Sequence, residues 1–361
     1  MRIIGTMILR FGIIEVFSIF FVFINISTFL LYMKITRNYG KQPLSKVMLI
    51  IFTLVCGGIG AFLGLVVRKI KNRKSIGYSA RFPHICIKMR IIVAIGTIIA
   101  VIPLIHIAHG LTLGRSIRYV EIEFASENWP PELDGYRIAF MTDMHTISDG
   151  TMRNVATELN TRNLDLLLLG GDFSMHYAHY QGTLREIAQI NTTDGIFGVE
   201  GNHDAYFRLF PAMEHLGIVP LDNSGIHIRD GFYLAGVRDM WNRNPDIEAA
   251  ISGAHPNDFI LLVSHNPDVL MRQSSIGIDF VLSGHTHRGQ IAFFGYPMYL
   301  LLSNISNYGT LFSYGFSYSA DGVPMFVSSG IGPYYNIPRI FSRPEVVIFT
   351  MLSQSIHTTS P

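Results

Sequence analysis

The sequence predicts a layered α/β domain preceded by an all-α membrane bundle of about three transmembrane helices. Three observations carry this reading. The first third of the 361 residues holds three long apolar runs. Beyond Ser116, short apolar strands alternate with helical stretches, an order that builds a layered sheet fold. Hydrophobic residues make up 49% of the chain and charged residues 15%, a balance tilted toward what a bilayer accepts. No period of self-similarity runs through the chain, which excludes a solenoid.

The apolar runs come first. Residues 16–33 form one, with 11–14 extending it across Glu15; residues 47–67 form a second without any charge; residues 91–109 form a third, containing Pro103. Each approaches the roughly 20 residues that cross a bilayer core, so helices are expected over 11–33, 47–67 and 91–109 within an anchor of residues 1–115. A cleaved leader accounts for at most one of them, and the first lacks a small-residue cleavage site. Lys34, Arg37, Lys41 and Lys46 separate the first two runs, whereas eight Lys and Arg between Arg68 and Arg90 separate the second and third. The denser positive loop stays cytoplasmic, which places the N-terminus inside and everything after the third run outside. Gly60 and Gly64, four apart, permit close helix packing, and His106 and His109 read as interfacial. A net charge of +2 gives no support for a nucleic-acid partner. Cys56 and Cys86, the two cysteines, make no disulfide framework.

The second domain is expected over residues 116–354, with a polar tail at 355–361. Residues 117–124 alternate apolar and polar, as a half-buried strand does, and a Trp-Pro-Pro turn at 129–131 leads into an apolar strand at 136–141. Further strands are predicted at 164–169, 195–199, 233–237, 259–263 and 280–282, with helices near 151–160, 184–190 and 205–216.

Chemistry gathers at five strand ends, where α/β sheets present their ligand crevice. The strand ending at Met141 delivers Thr142-Asp143-Met144-His145; the next delivers Gly170-Gly171-Asp172; then follow Gly201-Asn202-His203-Asp204, Ser264-His265-Asn266, and Gly284-His285-Thr286-His287. In an extended segment, residues two apart point to one face, so each Asp-x-His or His-x-His pair can reach a common neighbourhood. Carboxylates with imidazoles suit Mn²⁺, Fe²⁺ or Zn²⁺ better than Ca²⁺.

In order and spacing these five blocks resemble the metallophosphoesterase (calcineurin-like phosphoesterase) superfamily. The resemblance covers about residues 136–352, and Ser328-Ser329-Gly330-Ile331-Gly332 with Arg339 and Arg343-Pro344-Glu345 is similar to its bacterial YkuE/YaeI-like branch. It implies a β-sandwich flanked by helices and hydrolysis of a phosphodiester, phosphomonoester or pyrophosphate bond by metal-activated water. It also implies two divalent ions, with Asp143, His145 and His287 on the first, Asn202, His265 and His285 on the second, and Asp172 bridging. His203 is then the group that protonates the leaving oxygen, oriented by a hydrogen bond to Asp204. Departures are Thr146-Ile147-Ser148 after the first block, Phe173-Ser174 after Gly-Asp, and Arg288 after the last. An Arg at 288 suits a bidentate grip on a second phosphate or an anionic headgroup; a solvated surface Arg is the alternative.

Tethering raises the effective concentration of bilayer substrates, so a lipid-linked phosphate ester is the expected substrate, a UDP-2,3-diacylglucosamine-like precursor or a phospholipid among the candidates. Aromatic stretches at 293–296 and 298–302 fit either an acyl-accepting surface or a core strand. The other readings are a small-molecule or nucleotide phosphodiesterase, and a catalytically silent membrane-bound sensor or scaffold. The silent reading conflicts with a complete set of ligand-type residues.

Overall fold

The computed structural model describes residues 112–354 apart from 146, 176–179, 205–207, 242–243, 272–276, 294–295, 298–305, 307–310 and 335–338, together with 105 and 108–110. Apart from Ile105, Ala108 and His109, the three apolar runs lie outside the described residues, as do the tail 355–361 and the loop histidines His176 and His179. Among the described residues no helix is long and apolar enough to cross a membrane. The fold belongs to the second of two compact units, His109–Pro361.

That unit is built on two six-stranded mixed sheets. The first runs in the order β1 (Arg118–Ser126), β14 (Glu345–Ser353), β2 (Tyr136–Met141), β3 (Leu166–Leu169), β4 (Ile196–Gly198) and β5 (Ile218–Pro220). The second runs β12 (Gly315–Tyr318), β13 (Pro324–Val327), β9 (Phe280–Ser283), β8 (Phe259–Val263), β7 (Phe232–Gly236) and β6 (Ser224–Arg229). A short hairpin joins β10 (Ala292–Phe293) to β11 (Tyr296–Pro297). Strands β2 to β5 are mutually parallel, as are β7, β8, β9 and β13.

Alternation in the strands explains the layering. Ile138 and Phe140 of β2, with Leu166 and Leu168 of β3, face Phe232, Leu234, Leu261 and Leu282 of the other sheet. Ala139, Met141, Leu167 and Leu169 point the opposite way, onto helices α1 (Asp149–Leu159), α2 (Tyr180–Ile187) and α3 (Leu209–His215). Both faces are therefore apolar, which is why these strands read as unbroken hydrophobic runs. Helix α1 buries Met152, Val155, Ala156 and Leu159, the spacing of a single apolar stripe, and Ser148 caps it by accepting from Thr151 N. The second sheet covers its outer face with α4 (Ile247–Ile251) and the turn Pro267–Met271.

The strands and helices expected from the sequence are present with ends shifted by a few residues. The sequence reading lacked β5, β6, β12, β13 and β14. Strand β14 is the consequential omission, because it pairs parallel to β1 and antiparallel to β2, joining the edge strand β1 to the rest of the first sheet. The parallel strands of both sheets end at a common edge, and the predicted site residues follow those ends.

Candidate metal centre

Strand β2 ends at Met141, and the chain then turns sharply. Asp143 and His145 have φ of 55° and 44°, Asp172 has 57°, and His285 and His287 have 68° and 51°. The expectation of an extended Asp-x-His and His-x-His is thus corrected: these five sit in left-handed backbone. Such conformations disfavour non-glycine residues and persist where the surroundings enforce them, often at functional sites. Enforcement is visible: Asp143 N donates to Gly171 O (2.9 Å), His145 N to Asp172 O (3.1 Å), and Gly332 N to Asp143 O (2.8 Å).

Two groups of ligand-type side chains result, Asp143–His145–His287 and Asp172–His265–His285, all buried, with the ligand atoms of each group within 4.8 Å of one another. In the first, His145 Nε2 and His287 Nε2 stand 2.8 Å apart, and Asp143 Oδ1 lies 3.3 Å from His287 Nε2. That carboxylate oxygen is buried and has no hydrogen-bond partner among the described residues, while Oδ2 accepts from Thr142 Oγ1 (2.9 Å) and His285 N (3.0 Å). A buried charged oxygen aimed at two imidazole nitrogens fits a cation.

In the second group His265 Nδ1 donates to Gly170 O (2.7 Å), which fixes the tautomer and leaves Nε2 as the ligand atom. Nε2 is 3.2 Å from Asn202 Oδ1 and 3.3 Å from His285 Nδ1. The groups meet at Asp172, whose Oδ2 is 3.4 Å from His145 Nε2 and 3.2 Å from His265 Nε2. Its Oδ1 accepts from His203 N (2.9 Å). All seven residues picked from the sequence as metal ligands therefore converge.

Electrostatics follow from burial. Burial opposes the charge on Asp172, but His265 and His145 outweigh it and hold this carboxyl well below its ordinary range. Asp143 is likewise depressed, burial being overcome by the neighbouring imidazoles of His287 and His145. His287 is pushed well down by burial, with His145 and Arg339 adding to it against Asp143, so it is neutral, as a ligand must be. Burial would lower His265 too, yet Asp172 lifts it well above the ordinary imidazole value.

The His203 ring stands edge-on to His145 at 5.2 Å between centroids. Burial lowers its imidazole, with Asp172 opposing and His145, His265 and His285 reinforcing. The expected hydrogen bond from the His203 ring to Asp204 is corrected. The buried Asp204 instead accepts backbone N–H groups from Asp172 (2.7 Å), Phe173 (3.0 Å) and Gly201 (2.8 Å). Its carboxylate thus ties its own loop to the turn after β3 that carries Asp172, so Asp204 positions Asp172. Arg288 lays its guanidinium on the Tyr314 ring, 4.2 Å from the centroid.

Sequence reasoning assigned no role to three further residues. Arg339 is buried, donates to Gly332 O (3.0 Å) and Ser329 O (2.6 Å), and sets Nη2 3.1 Å from His287 Nδ1. Glu345, at the start of β14, accepts from Ser329 N (2.9 Å) and pairs with Arg118. Tyr334 stands 5.4 Å from His145 and 5.5 Å from His203 between ring centroids, pinned by reciprocal bonds with Gln290 of 2.9 Å each. None lies in a metal-ligand motif: the sequence marked Arg339 and Glu345 only as signs of the branch it resembles, and did not mark Tyr334.

Residues 136–289 match the calcineurin-like phosphoesterase family model. An uncharacterized metallophosphoesterase of Helicobacter pylori strain J99 is 30% identical over 60% of this chain and 59% of its own length. The transmembrane protein with metallophosphoesterase domain of Danio rerio is 27% identical, over 63% of this chain and 56% of that protein. YkuE, an uncharacterized metallophosphoesterase of Bacillus subtilis, is 26% identical over 62% of this chain and 82% of its own length. The chain thus spans less than two thirds of the H. pylori and D. rerio proteins. Residues 136–289 thus resemble the calcineurin-like phosphoesterase family, and the relatives matched over about 60% of this chain carry metallophosphoesterase in their names.

Proposed function

We propose that the chain is a membrane-anchored phosphoesterase of the YkuE-like branch, using two divalent ions of the Mn²⁺, Fe²⁺ or Zn²⁺ class on a lipid-linked phosphate ester. The observation that carries the two-ion reading is Asp172 Oδ2, which lies within 3.4 Å of His145 Nε2 in one ligand group and 3.2 Å of His265 Nε2 in the other. Asp143, His145 and His287 would hold one ion and Asn202, His265 and His285 the other, with Asp172 in reach of both groups. Two such ions supply Lewis acidity toward the phosphoryl oxygens and a water acidified for attack.

The remaining work falls to the chain. The Gly170 carbonyl keeps the His265 proton on Nδ1, and Arg339 holds the His287 ring from behind. His203 stands at the mouth and gives a proton to the departing oxygen, a transfer its lowered affinity for protons favours. Tyr334 packs its ring against His145, His203 and His287 on one side of the site. Arg288 grips a second phosphate only by leaving Tyr314, so we give it no part in the basic reaction.

The lipid-linked substrate rests on where the chain enters the unit. His109 stacks on Phe341 at 4.5 Å and accepts from its N–H (3.2 Å), and Gly114 is so close to Arg339 that a Cβ would lie 1.9 Å from that residue's carbonyl oxygen. The entering segment thus docks on residues 339–341, one side chain from His287. If that segment leaves a bilayer, the crevice lies near it, and the D. rerio relative named as a transmembrane protein supports such an arrangement.

The test is full-length protein in detergent, assayed after metal loading on phospholipids, nucleotide-linked lipids and a soluble bis-aryl phosphate. Two ions per chain with faster turnover of a lipid substrate supports the reading. Preference for the soluble diester removes the lipid, and metal without turnover on any ester leaves a silent scaffold.

A further inference from the structure

A second cluster of ligand-type side chains lies away from the crevice, at the opposite end of β8. His227 on edge strand β6 sets Nε2 2.7 Å from Asp258 Oδ2, and His255 sets Nδ1 3.6 Å from the same oxygen. The three ligand atoms lie within 4.8 Å of one another. Asp258 immediately precedes β8 and His265 follows its end. At about 3.3 Å per residue the strand keeps the two places roughly 15 Å apart, so the cluster is no part of the crevice.

The geometry points to a peripheral binding site for one borderline divalent cation of the Zn²⁺ class, held by His227, His255 and Asp258 with a fourth position open to water. Donor atoms around a tetrahedral zinc are roughly 3.3 Å apart, and the two histidine-to-carboxylate separations of 2.7 and 3.6 Å bracket that value. Two imidazoles and one carboxylate are a donor set that favours first-row transition ions and zinc over Mg²⁺ or Ca²⁺.

The backbone presets this arrangement in two ways. The pairing of β6 with β7 shifts register between His227 and Arg229, an irregularity of the kind that re-aims a side chain on an edge strand. On the other side Asp258 Oδ2 accepts from His255 N (2.6 Å) and Asp258 N donates to His255 O (3.1 Å), closing the tight loop that carries two of the ligands. The imidazoles lie 4.4 Å apart between centroids, tilted by 31°, and the Tyr233 ring backs His227 edge-on at 4.8 Å. Side-chain exposure of 5% for Asp258, 34% for His227 and 73% for His255 leaves a path for the ion. A bound ion ties edge strand β6 to the loop before β8.

Equilibrium dialysis of the untagged full-length protein against buffered Zn²⁺ tests the site, with His255→Ala and His227→Gln beside wild type. His255 is exposed, so its loss leaves the fold intact, checked by unchanged thermal unfolding of the metal-free protein. Wild type retaining one more Zn²⁺ per chain than either variant, with equal phosphoesterase turnover, supports the proposal. Equal zinc content in all three overturns it and leaves a plain His227–Asp258 hydrogen bond. Because the readout is a difference between proteins sharing the same crevice, it stands whether or not the crevice proves catalytic.

Discussion

At the scale of single residues, Asp172 is the most demanding position. It faces both ligand groups through one oxygen and binds the His203 backbone through the other. Asp172→Ala should lose metal and turnover together, checked by metal content and initial rates. His203→Ala should keep its metal and slow turnover by about 10²–10⁴-fold, the usual worth of a positioned proton donor; unchanged turnover would remove His203 from the mechanism. A pH effect follows from His265, whose proton affinity Asp172 raises against burial. In metal-free protein that pair's contribution to stability is full below the ordinary imidazole range and fades as pH climbs past the raised value. An ion entering the second group must displace that proton, so its affinity should strengthen with pH by up to about tenfold per unit until His265 is neutral, measured by metal titration at several pH values. The ligands were legible in the sequence because each stands beside Gly, Asn or another ligand at a strand end. Arg339 was not: its grip on His287 spans 52 positions of chain, and an isolated Arg looks the same whether it is solvated or buried.

At the scale of elements, the site depends on loops that pass without room for side chains. A Cβ on Gly332 would lie 1.7 Å from Met144 O, and one on Gly201 2.2 Å from Asp172 Oδ1. Gly332→Ala should therefore push back the turn carrying Asp143 and His145, destabilising the domain by about 1–3 kcal/mol and weakening metal retention, read by thermal unfolding and metal content. Arg339→Ala should cost about 3 kcal/mol or more, since two buried carbonyls lose their donor. Elements with a chemical mark at their ends were readable from sequence. Strand β14 is a nine-residue run that is apolar but for Glu345, Thr350 and Ser353, and periodicity cannot tell such a run's partners. The short β5 and β12 lack both length and mark. The peptide turns at Asp143 and His285 were misread as extended because left-handed backbone at non-glycine residues is imposed by tertiary contacts, which local preference does not encode.

At the scale of the whole molecule, the layered α/β class and the order of its main strands could be read from the chain, since alternating β and α runs leave few topologies. How the two sheets share one edge could not, as that depends on pairings between distant strands such as β13 with β9 and β14 with β1. The topology expected from the positive loops is checked by reporter fusion: a fusion after Pro131 should be active only outside the cytoplasm, and activity inside would reverse the orientation. A further consequence concerns synthesis. Because β14 fills the seam between β1 and β2, the ribosome delivers an inner strand of the first sheet last. At about 5–20 residues per second, Tyr136–Met141 waits on the order of 10–40 s for its neighbour, apolar on both faces. Such an open edge invites adhesion to other nascent chains, so a holding chaperone is expected on the growing polypeptide until its final strand emerges.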